Sequence, residues 1–327
     1  MEVKRATVKE IQSMQEAGLP LPLYRLGLAI EGCATESEMN SNFFATLHRG
    51  YTPINSYIGK EKGSCSIVGA GPTIEETYKE LKGDVIAINS AISFLLDKHI
   101  VPKYAMIWDA SPICENFAIP HPDITYLIAS RCHPLVFDAL KNCKVVVWHA
   151  AGDNNIVELM NRPEVISKQP CEEPLINGGT AGVTRTMLLS TVLGYTDLHI
   201  FGGDSSYSGD KTHIKGSLVP EKDTLVSLGD NPPIFFRTTP EWCAQVNEYR
   251  VFYGIFICCE PKVSLSVYGD SMLKTMHDIL NAQLDHLGKE KFIEMITEQE
   301  TQTQELNSNA STEYNKPNYL GETHASV

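Results

Sequence analysis

From residue 64 onward, short apolar runs of this sequence alternate with stretches of helical spacing. The runs predicted as strands are 65–68, 85–88, 104–108, 125–128, 144–148, 198–201 and 263–267. The helices predicted between them are 74–81, 91–98, 134–140, 181–193 and 241–252. Such alternation is typical of α/β folds, and the continuously apolar strands indicate parallel strands covered on both faces. The sequence therefore predicts a Rossmann-like, doubly wound, mostly parallel sheet with helical additions at both ends.

The flanking regions differ from this central pattern and suggest four segments. Residues 1–60 are predicted to be a helical lead-in, with helices at 6–17 and 36–47 and no strand before residue 64. Residues 61–270 form the predicted nucleotide-binding transferase domain, and 271–296 form closing helices. Residues 297–327 are polar with almost nothing to bury, which predicts a disordered tail.

Composition restricts the partners that the protein can have. The 27 basic and 40 acidic residues give a net charge of −13, which argues against binding to nucleic acid. The longest apolar run, 251–259, is too short to span a membrane. The N-terminus has no apolar segment behind its charges, so no signal peptide is expected and the predicted location is cytoplasmic. The nine cysteines contain no C-x-x-C pair, so neither a zinc site nor a disulfide framework is predicted.

Two glycine-containing turns each precede a predicted helix. The first is G-A-G-P-T, comprising Gly69, Ala70, Gly71, Pro72 and Thr73, and the second contains Gly178, Gly179 and Thr180. Glycine allows a ligand to approach the backbone closely, and a helix start offers free N–H groups to an anion. We therefore predict that these residues contact a nucleotide, Ala70 excepted, and that Thr180 is a helix N-cap. An ordinary strand–helix turn is the alternative, because G-x-G lacks the third glycine of the dinucleotide motif.

Polar residues also follow the second and third predicted strands. Asn89 is either a ligand for a sugar hydroxyl or base edge, or a helix N-cap. Asp109 is predicted to hold a metal or a ribose, with a capping role in the loop as the alternative. Arg185, inside the helix after the second turn, is interpreted as a solvated or paired charge rather than a ligand.

The segment 200–216 contains the largest group of candidate catalytic and phosphate-binding residues. Its sequence is I-F-G-G-D-S-S-Y-S-G-D-K-T-H-I-K-G. Asp204 ends a buried strand, and Lys211, His213 and Lys215 follow within a dozen residues. We predict that the two lysines bind phosphate and that His213, kept neutral by their charges, is a general base. The alternative is that His213 only hydrogen-bonds its loop. Asp109 and Asp204 are predicted to reach one cleft from neighbouring strands and to share Mg²⁺.

Taken together, these segments resemble the 6-hydroxymethylpterin diphosphokinase MptE-like family over about residues 64–216. The matching parts are V-G-A-G-P-T-I, I-N-S-A-I-S-F-L-L, I-V-P-K-Y-A-M-I-W-D, G-G-T-A-G-V and L-G-Y-T-D-L-H-I-F-G-G-D with G-D-K-T-H-I-K-G. The resemblance implies a Rossmann-like nucleotide-binding domain, with pyrophosphate transfer from ATP to a pterin alcohol in the presence of magnesium. The same superfamily is similar to bacterial sialyltransferases and motility-accessory glycosyltransferases, which use CMP-activated sugars and share the G-x-G-P-[ST] turn.

The sequence departs from the diphosphokinase pattern at its acidic positions. Asn89 replaces an acidic residue after the second strand, and Ala110 and Ser111 follow Asp109 where a D-x-D-type pair is expected. Three functions therefore stay open: ATP-dependent phosphoryl or pyrophosphoryl transfer, metal-independent glycosyl transfer from a CMP-sugar, and nucleotide binding without catalysis. The expected partners are a small-molecule nucleotide and a hydroxyl acceptor, and the sequence does not determine the oligomeric state.

Overall fold

A parallel sheet forms the centre of the protein. The computed structural model describes residues 34–151, 154–169, 171–176, 178–214, 224–229, 232–259 and 261–298. The strands within these residues are β1 (Thr52–Pro53), β2 (Ser64–Val68), β3 (Asp84–Ile88), β4 (Tyr104–Ile107), β5 (Thr125–Ala129), β6 (Lys144–Ala150), β7 (Leu175–Ile176), β8 (Asp197–Phe201), β9 (Thr224–Leu228), β10 (Ile234–Thr238) and β11 (Ser264–Val267). All of them except β9 and β10, which form an antiparallel hairpin, pair in parallel in one sheet.

The order of the strands follows the doubly wound pattern. It is β1-β6-β5-β4-β3-β2-β8-β11, with β7 added to the end of β6. The interior strands β4 and β5 are buried along their whole length, as expected for strands that are covered on both faces. The predicted Rossmann-like, mostly parallel fold is confirmed, and all seven predicted strands are present.

Helices connect and cover these strands. They are α1 (Glu36–Arg49), α2 (Ile74–Thr77), α3 (Ala91–Asp97), α4 (Pro134–Ala139), α5 (Asn154–Met160), α6 (Pro163–Ile166), α7 (Gly182–Leu193), α8 (Pro240–Phe256) and α9 (Met272–Leu287). Short 3₁₀ helices lie at Ile54–Tyr57, Tyr78–Glu80 and Pro112–Phe117. The helix predicted at 74–81 is therefore α2 followed by a 3₁₀ turn. Helix α7 packs against β2, β3, β8 and α8.

Strands β1 and β7 and the β9–β10 hairpin are not predicted by the sequence pattern. Strand β1 contradicts the expectation that no strand precedes residue 64. Both β1 and β7 are only two residues long, too short to show an alternating or continuous apolar pattern. Pro53 is tolerated in β1 because this strand lies at the edge of the sheet. These short strands are formed by pairing with β6 rather than by local propensity.

The terminal regions pack onto the same core. Helix α1 confirms the helix predicted at 36–47, and a reciprocal capping box between Thr35 and Glu38 sets its start. The predicted helix at 6–17 lies outside the described residues. At the other end, α9 and the helical residues 289–298 are the predicted closing helices, with Phe292 fully buried. The predicted tail boundary at 297 lies inside this last helical stretch, and residues 299–327 are outside the described part. No described helix is long and apolar enough to cross a membrane.

Candidate functional site

A cleft of about 940 Å³ lies at the carboxyl ends of the parallel strands. The chain builds β2 to β6 toward one side and then crosses through α7, so that β8 pairs with the opposite side of β2. The strand order therefore changes direction between β2 and β8, the position where doubly wound folds bind ligands. Residues that follow β2, β3, β4, β5, β6 and β8 line this cleft.

The lining has two parts that differ in chemistry. We call the residues after β2 and β8 the switch-point half; its members used below are Gly69, Gly71, Gly202, Asp204 and His213. We call the residues that reach the cleft beside β3 to β6 the outer half; its members are Asn89, Trp108, Asp109, Arg131 and Arg185.

In the switch-point half, the glycines allow two loops to pack against each other. Gly69 and Gly71 donate backbone hydrogen bonds to Phe201 and Gly202, both 2.8 Å long. A Cβ atom on Gly69 would lie 2.4 Å from the Gly202 carbonyl oxygen, and one on Gly202 would lie 2.5 Å from the Gly69 oxygen. The glycines are therefore needed for the close packing of these two loops, and the predicted approach of a ligand to their backbone stays a prediction. Gly71 also faces Asp204, so a larger residue there would disturb the loops as well as any ligand.

Asp204 occupies the start of α2. Its carboxylate accepts hydrogen bonds from the backbone N–H of Thr73 at 2.9 Å and from the Thr73 hydroxyl at 2.5 Å. The prediction that Thr73 and Pro72 contact a nucleotide is not supported, because neither lines the cleft and the donors of Thr73 are engaged. Burial raises the pKa of Asp204 to about 6, although the hydrogen bonds from Thr73 act in the opposite direction.

A second carboxylate occupies the start of α7. Glu248 of α8 accepts hydrogen bonds from the Thr180 N–H, the Thr180 hydroxyl and the Thr184 hydroxyl at 2.7, 2.7 and 2.9 Å. The N-cap residue is Ala181, not the predicted Thr180. Of the predicted nucleotide contacts here, Thr180 lines the cleft, whereas Gly178 and Gly179 do not. The protein therefore supplies its own anion at both helix starts where a phosphate was predicted.

In the outer half, Asn89 combines an unusual backbone conformation with a side-chain oxygen that has no described partner. It has a positive φ of 49°, a conformation that asparagine tolerates better than most residues. Its side chain does not cap α3, which begins after Ser90 without a side-chain cap. Among the described residues the buried Oδ1 of Asn89 has no hydrogen-bond partner. Of the two interpretations from the sequence, the cap is wrong, and the ligand interpretation stays a prediction.

Asp109 lies in the cleft but not beside Asp204. Its Oδ1 accepts a 2.7 Å hydrogen bond from the Ser111 N–H. Asp109 follows β4 and Asp204 follows β8, and strands β3 and β2 separate these two. At about 4.8 Å between neighbouring strands, the two strand ends are about 14 Å apart. The prediction of neighbouring strands is wrong, and the described residues contain no group of three His, Cys, Asp or Glu suited to a metal ion. The pair does not fit a shared Mg²⁺.

His213 lines the cleft, whereas Lys211 does not. Lys211 is exposed and lies 3.5 Å from the Glu75 carboxylate, outside the cleft lining, whereas Lys215 lies outside the described residues. The pKa of His213 is lowered as predicted, and burial is the cause that the described residues supply. Its Nδ1 lies 3.2 Å from the Thr212 hydroxyl, and its ring lies 5.9 Å from the Trp242 ring. A neutral imidazole therefore faces the cleft.

Arg185 was interpreted from the sequence as a solvated or paired charge, and that is wrong. The side chain is 5% exposed and lines the outer half of the cleft. Its guanidinium lies 5.0 Å from the centre of the Trp108 ring, a cation–π contact. Desolvation lowers the pKa of Arg185 to about 10, so the group stays charged at neutral pH. The one feature of the sequence that sets Arg185 apart is that it is the single charged residue of α7, whose other residues are apolar, glycine or hydroxyl-bearing.

The sequence analysis also missed three cleft residues on other elements. Trp108, Arg131 and Trp242 all line the cleft. Trp108 was treated only as the end of a strand, and Arg131 and Trp242 were not singled out. Arg131 donates a 3.2 Å hydrogen bond to the Asn40 side chain on α1, so this helix contacts a residue of the cleft.

Comparisons with known proteins agree with the fold. No curated protein matches the sequence. Among solved structures, the MAf glycosyltransferase from Magnetospirillum magneticum AMB-1 is similar, with a TM-score of 0.50 and 15% sequence identity. The match covers 80% of this chain and 43% of that protein, so this chain spans less than half of its length. At this identity the likeness shows the shared fold alone.

The family assignment comes from the sequence itself. The family model of the 6-hydroxymethylpterin diphosphokinase MptE-like proteins matches residues 41–210, just over half of the 327-residue chain. The match contains the Gly69–Thr73 turn, Asn89, Asp109, the start of α7 and Asp204. It supports a transferase-type function. The chain therefore belongs to the 6-hydroxymethylpterin diphosphokinase MptE-like family.

Proposed function

We propose that the protein is a nucleotide-dependent transferase that binds its nucleotide in the cleft and transfers a group to a small hydroxylated acceptor. The observation that carries this proposal is the position of Asn89, whose side chain lines the cleft beside the switch point while its buried Oδ1 lacks a partner. Buried polar atoms are nearly always hydrogen-bonded, so an unpartnered one at a cleft is a candidate ligand contact. A ribose hydroxyl or the amine of a base supplies the missing donor.

His213 is the proposed general base. Burial disfavours its charged form, so the imidazole is free to accept a proton at neutral pH. In this reaction the acceptor hydroxyl attacks the donor while His213 takes its proton, and the nucleotide departs as AMP or CMP. The ring of Trp242 beside His213 offers an apolar wall for the acceptor.

The family name favours ATP as the donor, with transfer of pyrophosphate. Such a reaction normally uses Mg²⁺ held by one or two carboxylates together with the phosphates. Because Asp109 and Asp204 do not fit a shared ion, no step of the reaction is assigned to a metal here. Magnesium dependence stays a prediction that nucleotide binding can test.

The separation of Asp109 from Asp204 favours a second candidate function, glycosyl transfer from a CMP-sugar. A CMP-sugar carries a single phosphate, so its reaction has less charge to neutralise than transfer from the triphosphate of ATP and can proceed without a metal. The glycosyltransferase named above, whose fold is similar, is consistent with this candidate.

A thermal-shift panel with ATP, CTP, CDP and CMP, each with and without Mg²⁺, tests the proposal. A ligand that binds only the folded state raises the melting temperature, by about 2.7 kcal/mol of stabilisation at 100 times its Kd. Stabilisation by ATP that needs Mg²⁺ supports pyrophosphate transfer, and stabilisation by CMP without Mg²⁺ supports glycosyl transfer. If no nucleotide raises the melting temperature, the proposal is wrong. Nucleotide binding without turnover of any acceptor would leave the non-catalytic function.

A further inference from the structure

The guanidinium of Arg185 is a buried charge whose contacts are all neutral. Its Nη1 donates to the Ala151 and Ile176 carbonyl oxygens at 2.9 and 3.4 Å, and its Nη2 donates to the Gly179 carbonyl oxygen. Trp108 covers one face of the group. Among the described residues no carboxylate oxygen lies within 4.0 Å of it. Buried charges in proteins are normally paired with an opposite charge, and the described residues supply no such partner in contact with Arg185.

The acidic residue that acts on Arg185 does so without contact. Glu248 influences the guanidinium through its charge, but its two oxygens are hydrogen-bonded to Thr180 and Thr184. Arginine has five N–H donors, and the three carbonyl oxygens use three of them. The Nε–H and one Nη2–H are left, and Nε has no partner among the described residues. An Nε–H and an Nη–H on one guanidinium form the fork that binds carboxylate or phosphate oxygens in a bidentate manner.

The surroundings of Arg185 indicate where such an anion would bind. Arg185 contacts the chain directly after β6 and the Trp108 side chain after β4, and Arg131 follows β5 between them. Two cations therefore line the same half of the cleft. By contrast, the protein's own carboxylates already occupy the starts of α2 and α7. Because the whole protein carries a net charge of −13, an anionic ligand needs such a local positive site.

We propose that the outer half of the cleft contains an oxyanion subsite, in which a carboxylate or phosphate group of a substrate binds to Arg185 with Arg131 nearby. This inference rests on the proposed function only in taking the cleft to be the substrate site. It adds that one substrate carries an acidic group that binds beside Trp108, away from the Gly69–Thr73 turn.

Three small probes with the same three-carbon skeleton test the subsite on the full chain at constant ionic strength. They are glycerol 3-phosphate, glycerate and, as the neutral control, glycerol. We expect one or both anions to raise the melting temperature where glycerol does not. The anion that does so identifies phosphate or carboxylate as the preferred group. Stabilisation by neither anion overturns the proposal, even if the nucleotide panel succeeds, so the two proposals fail separately.

Paired arginine variants locate the effect. Arg185→Met should weaken binding of the stabilising anion at least tenfold. Arg250→Met is the matched control, because Arg250 is also 5% exposed but does not line the cleft, and it should bind the anion as the wild type does. Equal losses in both variants would overturn the assignment to Arg185.

A spectroscopic test covers the case in which Arg185→Met does not fold. The anion should change the tryptophan fluorescence of the wild-type protein, because Trp108 lies against the guanidinium. That change should disappear in Trp108→Phe and persist in Trp242→Phe, whose ring lies beside His213 instead. A fluorescence change that persists in Trp108→Phe would place the anion elsewhere.

Discussion

The two halves of the cleft differ in how far their polar groups are satisfied by the protein itself. In the switch-point half, the loops hydrogen-bond to each other through Gly69 and Gly202, and Asp204 binds both donors of Thr73. In the outer half, Asn89 and Arg185 keep buried polar atoms without partners among the described residues. Apart from His213, whose imidazole is left for proton transfer, the polar groups named in the switch-point half need no ligand, whereas those of the outer half do.

This difference indicates that the switch-point half keeps the cleft rigid and that the outer half recognises the ligand. A fully hydrogen-bonded network holds the ends of β2 and β8 in one arrangement, which fixes the geometry of the cleft. Unsatisfied buried groups cost free energy in the empty protein, and a ligand that satisfies them recovers it. We therefore assign shape and proton transfer to the switch-point half, and most of the ligand affinity to the outer half.

The largest expected effect concerns the loop packing in the switch-point half. Gly202 and Gly209 have almost the same φ, 58° and 59°, but a Cβ would clash with the Gly69 oxygen only at Gly202. Gly209→Ala should cost about 1 kcal/mol of unfolding free energy from backbone strain alone, and Gly202→Ala more than about 3 kcal/mol. Urea denaturation of both variants measures the difference. Equal losses would show that the two loops are not tightly packed.

A smaller effect concerns the pH dependence that Asp204 introduces. Its pKa of about 6 in the folded protein exceeds the ordinary value of 3.8, so the folded state binds more protons between these pH values. Its contribution to stability is therefore present below about pH 4 and lost as the pH rises through 6. Relative to Asp204→Asn, the wild type should lose up to about 3 kcal/mol between pH 4 and 7.5. A stability difference that does not vary with pH would contradict the raised pKa.

The third prediction tests whether His213 acts in catalysis or in nucleotide binding. His213→Ala should lower turnover at least about a hundredfold, equivalent to about 2.7 kcal/mol, with nucleotide affinity little changed. Lys211→Ala is the control, because Lys211 pairs with Glu75 outside the cleft and should leave turnover within about twofold. The measurement is steady-state kinetics with the donor found in the thermal-shift panel. Parallel loss of turnover and affinity in His213→Ala would make His213 a binding residue.

The sequence predicted the sheet and the location of the cleft because both depend on patterns along the chain. Continuous apolar runs mark buried parallel strands, and the residues that follow them must meet at one edge. Asn89, Asp109, Asp204 and His213 were found in this way. The sequence could not predict which polar groups satisfy one another, because those contacts join distant segments. The bonds from Thr73 to Asp204 and from Thr180 to Glu248 span 131 and 68 residues.

Arg185 is a second example of a residue whose contacts cannot be predicted from the sequence. Its position inside a helix indicates a solvent-exposed charge unless the neighbours of that helix are known. Helix α7 is buried between the sheet and α8, so the arginine can only reach the cleft. Local chemistry and spacing identify candidate residues, whereas burial and pairing decide which of them are available to a ligand.

We propose above that a nucleotide binds to the cleft, and the unsatisfied groups of the outer half are its expected contacts. Calorimetric titration of the stabilising nucleotide into Asn89→Gly tests it most directly, because glycine keeps the positive φ and removes only the side chain. Asn247→Ala is the control, since Asn247 also has a buried Oδ1 without a described partner but does not line the cleft. We predict a loss of about tenfold in affinity, or about 1.4 kcal/mol, for Asn89→Gly and none for Asn247→Ala. Unchanged affinity in Asn89→Gly would contradict the account.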